Sequence, residues 1–396
     1  MGKESPINKS ANYTKLKIGL IVFILLLIVF LVQMYQRAYR DNGIDFTSYL
    51  LSSKALLKGT NPYETGSPFQ YIYPLFLTFI LIPLTELPYW FSLILWYITG
   101  VLSFYYSVFF TLKIYKKGDL DLTLFLGLPF FLLVIILSNV IQNNLLNGQV
   151  NFVVLILSIL FFYFYLEKKT LLASFCLAVA ISIKIVPALF LILVFRKERL
   201  PVLWYTLLFV IILCVVLPGT IQGLKIFDYY KEYVNKFVIA GINETPSALN
   251  DHSFFFTLYG FVIYLFPVLI KIKLLKIIFS AIAIIAVITI NYKSPIEKHG
   301  KNAPFIMSLL FLSILLIGPM SETHHLIYIL PALCLVLYDF LINKVKMNKR
   351  TIIISIMFVV TFSIGNFFKT GVYYFISIVC LYILMTDRIS WRIKIA

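Results

Sequence analysis

Charge is what this sequence has least of. Asp, Glu, Lys and Arg together fill 13% of 396 positions, while 61% are hydrophobic, and that balance excludes an ordinary soluble globular domain. Acids are scarcest, 17 against 34 Lys and Arg. The resulting formal charge of +17 does not indicate nucleic acid, because the bases are scattered through loops rather than clustered beside aromatics on one soluble face. Cysteine is limited to Cys176, Cys214, Cys334 and Cys380. All four fall inside apolar runs without metal-ligand spacing, so they read as core filler and leave the redox compartment open. Repeats of 20 to 50 residues and low-complexity segments are lacking, which argues against a solenoid or a disordered chain.

What is present is apolar sequence of membrane-spanning length, recurring from Ile18 to Met385. Clear runs cover residues 18–34, 89–112, 122–141, 150–166, 201–219, 274–291, 303–319, 325–342, 351–367 and 370–386, each about long enough to cross the hydrocarbon. The stretch "YIYPLFLTFILIPLTELP", bracketed by Pro74, Pro83 and Pro88, reads as a helix on the membrane surface or as a span. Leu171 to Phe195, interrupted by "KIVP", reads as two short helices meeting near Lys184. The expected fold is all-α: one integral domain over residues 1–396, a multispanning bundle of about twelve helices. The first run ends in "VQMYQRAYRD" without a small-residue cleavage site, and so reads as an uncleaved anchor.

Lys and Arg concentrate on the cytoplasmic side of spans. That rule places residues 1–17, "KIYKK", "RKER", "NYKSPIEKHGK", "NKVKMNKR" and the C-terminal tail inside, in a multi-pass plasma-membrane protein. The loops 35–88, with surface helices, 142–149, the "KIVP" bend, the large loop 220–273 and "SETHH" then share the outer face. The weakest element of this threading is "HSFFFTLYGFVIYLFPVLIK", which must lie on or dip into the outer surface.

Polar residues at the outer face are functional candidates because ionisable groups in a membrane are costly. Asp45 precedes an apolar stripe with Tyr49, Leu50, Leu56 and Leu57. It is either an N-cap or first-turn acid or a catalytic carboxylate. Asp41 shares its loop, and the sequence does not rank the two. In "NNLLNGQVNF", Gln149 and Asn151 are turn residues or ligand contacts. Lys184 stands inside an apolar stretch, where an unpaired ammonium costs about 2.5–3.5 kcal/mol, so it either snorkels or meets an anion. Pro187 frees backbone carbonyls nearby. His324 and His325 are interfacial anchors, metal ligands, or donors to a phosphate or sugar oxygen. Neighbouring helical residues point about 100° apart and no third ligand follows at i+3 or i+4, which weighs against metal. In the large loop, Asp251 and His252 form the most polar point, and its aromatics suit sugar rings or an interface equally.

Taken in order, these stretches resemble glycosyltransferase family 87, the polyprenol-phosphate-mannose-dependent mannosyltransferases with a multispanning GT-C fold. The resemblance rests on Asp45 with Tyr49, on Gly59 to Tyr63, on Tyr73-Pro74, on Gly148, Gln149 and Asn151, on Lys184 with Pro187, and on "GPMSETHH" for the family's "SPxSWxHH". Pro319, Ser321, His324 and His325 match that last motif; Gly318 replaces Ser, and Glu322 replaces Trp. "NDHS" stands where the family has "NQS", with one residue inserted.

The resemblance implies inverting transfer of a hexose from a lipid-linked phosphosugar to an acceptor hydroxyl of a glycan or glycolipid at the outer face. A carboxylate must take the hydroxyl proton; Asp45 is the expected base, with Asp41 and Asp251 as the alternatives. Cations must meet the growing charge on the leaving phosphate, which assigns Lys184, His324 and His325. Tyr49, Tyr63, Tyr73, Gln149, Asn151, Asp251, His252 and Glu322 are the expected substrate contacts. The scheme needs no metal or other cofactor, and its partners are membrane lipids and the two substrates. Rival classes are a transporter or flippase of lipid-linked sugars, with charges along a central pathway, an outer-face glycan polymerase, and a metal-dependent hydrolase.

Overall fold

A computed structural model describes residues 6–116, 127–194, 199–239, 257–271, 274–293, 302–317, 322–345 and 347–393. No strand occurs among the described residues. In chain order the helices are α1 (Pro6–Arg40), α2 (Ile44–Lys58), α3 (Leu75–Thr85), α4 (Tyr89–Tyr115), α5 (Leu128–Ile136), α6 (Ser138–Asn147), α7 (Asn151–Leu166), α8 (Thr170–Ile183), α9 (Leu200–Gln222), α10 (Lys225–Tyr233), α11 (Leu258–Leu265), α12 (Leu274–Lys293), α13 (Ala303–Ile317), α14 (Thr323–Ile342), α15 (Lys349–Phe368) and α16 (Gly371–Ile393).

Length and apolarity qualify α4, α9, α14, α15 and α16 as spans, and the α5–α6 pair as a sixth if its 63° bend is taken as one broken span. These are fewer than the expected twelve or so, counted among the described residues alone. Several runs are shorter when folded: α7 has 16 residues, or about 24 Å of helix against a hydrocarbon core of about 30 Å. Exposure follows composition. Helix α13, apolar all round, is buried along almost its whole length, whereas α9 and α15 turn Trp204, Ile211, Ile353 and Ile356 outward, as lipid-facing helices do.

Three sequence boundaries change on folding. The run 122–141 is not straight: it breaks at Leu137, and the presumed loop 142–149 is helical to Asn147. The chain turns only at Gly148, whose φ of +66° suits a residue without a side chain. A Cβ there would also stand 2.6 Å from Phe46 Cβ. The histidines, expected in a gap between spans, open α14 as a 3₁₀ turn, Thr323–Ile329. Between residues 171 and 195 the expected break is present: α8 ends at Ile183, Lys184 is extended, and a 3₁₀ helix follows from Val186 to Val194.

The α6–α7 turn is the hub. Trp96 Nε1 on α4 donates to the Gly148 carbonyl (2.8 Å), and Tyr97 Oη donates to Leu145 O (2.8 Å) and Met34 O (3.0 Å). Each of these buried donors is matched to backbone, worth about 0.5–1.5 kcal/mol apiece. They pin the turn against α1 and α4. Helix α2 packs on α6 and α3, and the first turns of α14 pack on α6, α7 and α13.

Candidate active site

Four chain segments meet at this hub. Helix α2 begins at Gly43, an N-cap with φ of +36° and no side-chain cap, so Asp45 lies in the first turn without capping it. Its carboxylate instead accepts from Gln149 Nε2 at 2.6 Å. Two residues on, Asn151 opens α7 and is fully buried. Its Oδ1 accepts from Lys184 Nζ (2.9 Å), and its Nδ2 donates to Asn144 Oδ1 (3.1 Å). Asn144 Nδ2 in turn donates to the carbonyl of His324 (2.9 Å). Lys184 Nζ lies 2.6 Å from His325 Nε2 and 5.6 Å from the centroid of the Tyr73 ring.

The tautomer of His325 is set by its backbone. The Glu322 N–H donates to His325 Nδ1 (3.0 Å), leaving Nε2 as the nitrogen that carries the ring hydrogen toward Lys184. Across that contact Nε2–H donates to the neutral amine of Lys184; when Lys184 is protonated both nitrogens present hydrogens, the pair repels, and an anionic oxygen between them satisfies both. Beside them, His324 Nδ1 lies 3.3 Å from Glu322 Oε2.

Asp45 caps no helix, and among the described residues its side chain's hydrogen-bond partner is the Gln149 amide. Burial pushes its carboxyl up to about 7, helped by the nearby Glu322 charge and opposed by Lys184 and by the Gln149 hydrogen bond. A base with that value is half ionised at neutral pH. Tyr49, one turn further along α2, is 1% exposed. Its hydroxyl is kept protonated by burial, by Tyr73 and by Asp45.

The expected site residues divide clearly. Asp45, Tyr49, Tyr73, Gln149, Asn151, Lys184, Glu322, His324 and His325 converge. Tyr63 sits one layer back: its hydroxyl donates to Tyr73 O (3.1 Å) and its ring packs against Tyr71, Tyr233 and Phe237, so it supports Tyr73 rather than facing a ligand. Asp251 and His252 lie outside the described residues, as do Gly318, Pro319 and Ser321. Asp41 is 54% exposed at its side chain and paired with Arg40 at 3.1 Å, away from the hub's hydrogen bonds. Among the described residues no three His, Cys, Asp or Glu side chains gather at metal-ligand spacing. Sequence reading missed Asn144, which bridges Asn151 to His324. Its signal was position alone: in "NNLLNGQVN" it lies seven residues before Asn151, across a glycine turn.

The sequence model of glycosyltransferase family 87 matches residues 71–319. The chain belongs to glycosyltransferase family 87. It is a membrane glycosyltransferase, all-helical and with several membrane-spanning helices. Comparison with curated proteins and with solved structures finds no match. The family match contains Tyr73, Gln149, Asn151 and Lys184, begins after Asp45 and ends before His324; hydrogen bonds join those flanking residues to the matched core of this family 87 enzyme.

Proposed function

We propose that this family 87 glycosyltransferase moves a hexose, mannose by family resemblance, from a polyprenyl-phosphate sugar to an acceptor hydroxyl of a glycan or glycolipid at the outer membrane face. The observation that carries the reading is a set of contacts about one turn: Asp45 to Gln149, Asn151 to Lys184, and Lys184 to His325. A base and a phosphate-binding pair are thereby held on opposite sides of a three-residue turn.

The chemistry follows. The acceptor oxygen attacks the anomeric carbon while its proton passes to Asp45. The bond from the anomeric carbon to the phosphate oxygen breaks, and the electron pair leaves with the polyprenyl phosphate, which gains a negative charge. Lys184 and the Nε2–H of His325 meet that charge. One displacement inverts the anomeric centre. His324 and Glu322 lie beside His325, and Tyr73 carries Lys184 on its ring face, a contact worth about 0.5–2 kcal/mol.

The test is an assay of purified protein against a panel of polyprenyl-phosphate sugars, with product linkage read by mass spectrometry and NMR. Transfer with inversion from one of them is the expected result. Transfer only from nucleotide sugars, or lipid translocation without transfer, overturns the reading.

A further inference from the structure

One buried polar group at the hub lies beyond the roles assigned so far. Tyr328 is 2% exposed, and its hydroxyl is buried without a hydrogen-bond partner among the described residues. Leaving such a group unpaired costs about 1–3 kcal/mol, and native proteins keep few of them without a reason. Ser48 and Ser52 on α2 have the same formal status, but a helical serine can rotate to bond the carbonyl one turn back. The Tyr328 hydroxyl, held at the end of a rigid ring that stacks on Phe311 (centroids 6.1 Å, 22°), has no such recourse.

Its position says what it is for. Residues 323–329 form a 3₁₀ helix, in which side chains three apart eclipse one another, so Tyr328 falls on the same face of that helix as His325. It also lies within electrostatic reach of Tyr73, the residue whose ring carries Lys184. The groups on this side of the hub, Lys184 Nζ and His325 Nε2–H, are hydrogen-bond donors. A third donor beside them suits an anionic oxygen.

We infer that Tyr328 is a further substrate-binding residue, whose hydroxyl donates to a phosphate oxygen of the lipid-linked donor. This rests on the donor reading above. The hydroxyl is a liability in the empty enzyme and a contact in the loaded one.

Tyr328→Phe separates these roles because it keeps the ring packing and removes only the oxygen. In the full-length protein we expect a ligand-free melting temperature equal to or above wild type. We also expect affinity for a short-chain polyprenyl monophosphate to fall roughly 10–100-fold, with unchanged affinity for the corresponding polyprenol. Unchanged affinity for the monophosphate overturns the inference, and so does a lowered ligand-free melting temperature, which would reveal a structural partner. A wild-type protein that binds monophosphate and alcohol equally overturns the donor reading, and this inference with it.

Discussion

Among the described residues, two carboxylates withdrawn from solvent, Asp339 buried and Asp45 half-buried, lie near opposite ends of α14 and are treated differently. Asp339, near its C-terminal end, is 3% exposed. It accepts from the Tyr115 hydroxyl and from Asn343 Nδ2 (2.9 Å), and it faces Arg388 Nη2 at 3.4 Å. Those partners come from α4, from the chain just past α14, and from α16. Asp45 lies at the other end, roughly 22–25 Å of helix away from Asp339 by way of His324, with one neutral amide as its hydrogen-bond donor. A carboxylate saturated with donors, one of them a cation, ties helices together. One that is desolvated and sparsely bonded, with its carboxyl up at about 7, is free to exchange a proton. Burial alone therefore does not separate structure from chemistry; the count and charge of the partners do.

The largest contrast should come from the same isosteric change at both positions. Asp45→Asn should cut transfer by at least about 100-fold, the range for loss of a general base, with a melting temperature close to wild type. Asp339→Asn should instead lower stability by about 1–3 kcal/mol, because Arg388 loses its charge partner, with turnover per folded molecule preserved. Turnover and thermal melting in the same detergent decide both, and exchanged phenotypes would dissolve the contrast.

The two cations extend it. Lys184→Met should weaken polyprenyl-phosphate binding about 10–100-fold, measured by titration, whereas Arg388→Met should leave it within twofold and lower stability instead. The pH dependence is a finer probe. Because the base must be ionised, the rate should climb as pH rises through about 7 and level off above it. The same raised value means that ionising Asp45 burdens the folded state: its contribution is most favourable below about 4 and is lost as pH rises through about 7. Glu322→Gln removes one of the charges that raise Asp45, so the midpoint should move to lower pH. The smallest effect belongs to Asp41→Asn. Asp41 is exposed and paired with Arg40, a kind of pair worth about 0–1 kcal/mol, so activity should stay within twofold.

Much of the site was legible because its residue types are expensive where they stand. Lys184 in an apolar run and paired histidines at the head of another announce themselves by desolvation cost, and both are in the hub. The loss of Tyr63 to a supporting layer was not legible, since aromatic and turn residues read alike whether they face a ligand or a neighbouring ring. Nor was Tyr328: "HHLIYIL" offers a tyrosine among core residues, and only its unpartnered oxygen distinguishes it. The bend at Leu137 was hidden for a related reason, because hydropathy continues across it unbroken while backbone direction changes.

Composition, with apolar runs of helix-spanning length, determined that this chain is a helical membrane protein. A sequence with 13% charged residues has no soluble way to satisfy its apolar surface, and in lipid the backbone must bond to itself. Order along the chain also supplied the candidates Asp45, Gln149, Asn151, Lys184, His324 and His325. The tertiary structure alone decided which of them touch: Asp45 and Lys184 meet the two sides of the turn at Gly148, where the absence of a side chain lets Phe46 approach, and Lys184 reaches His325 directly. Hydrogen bonds act over about 3 Å, a distance that separation in sequence does not encode.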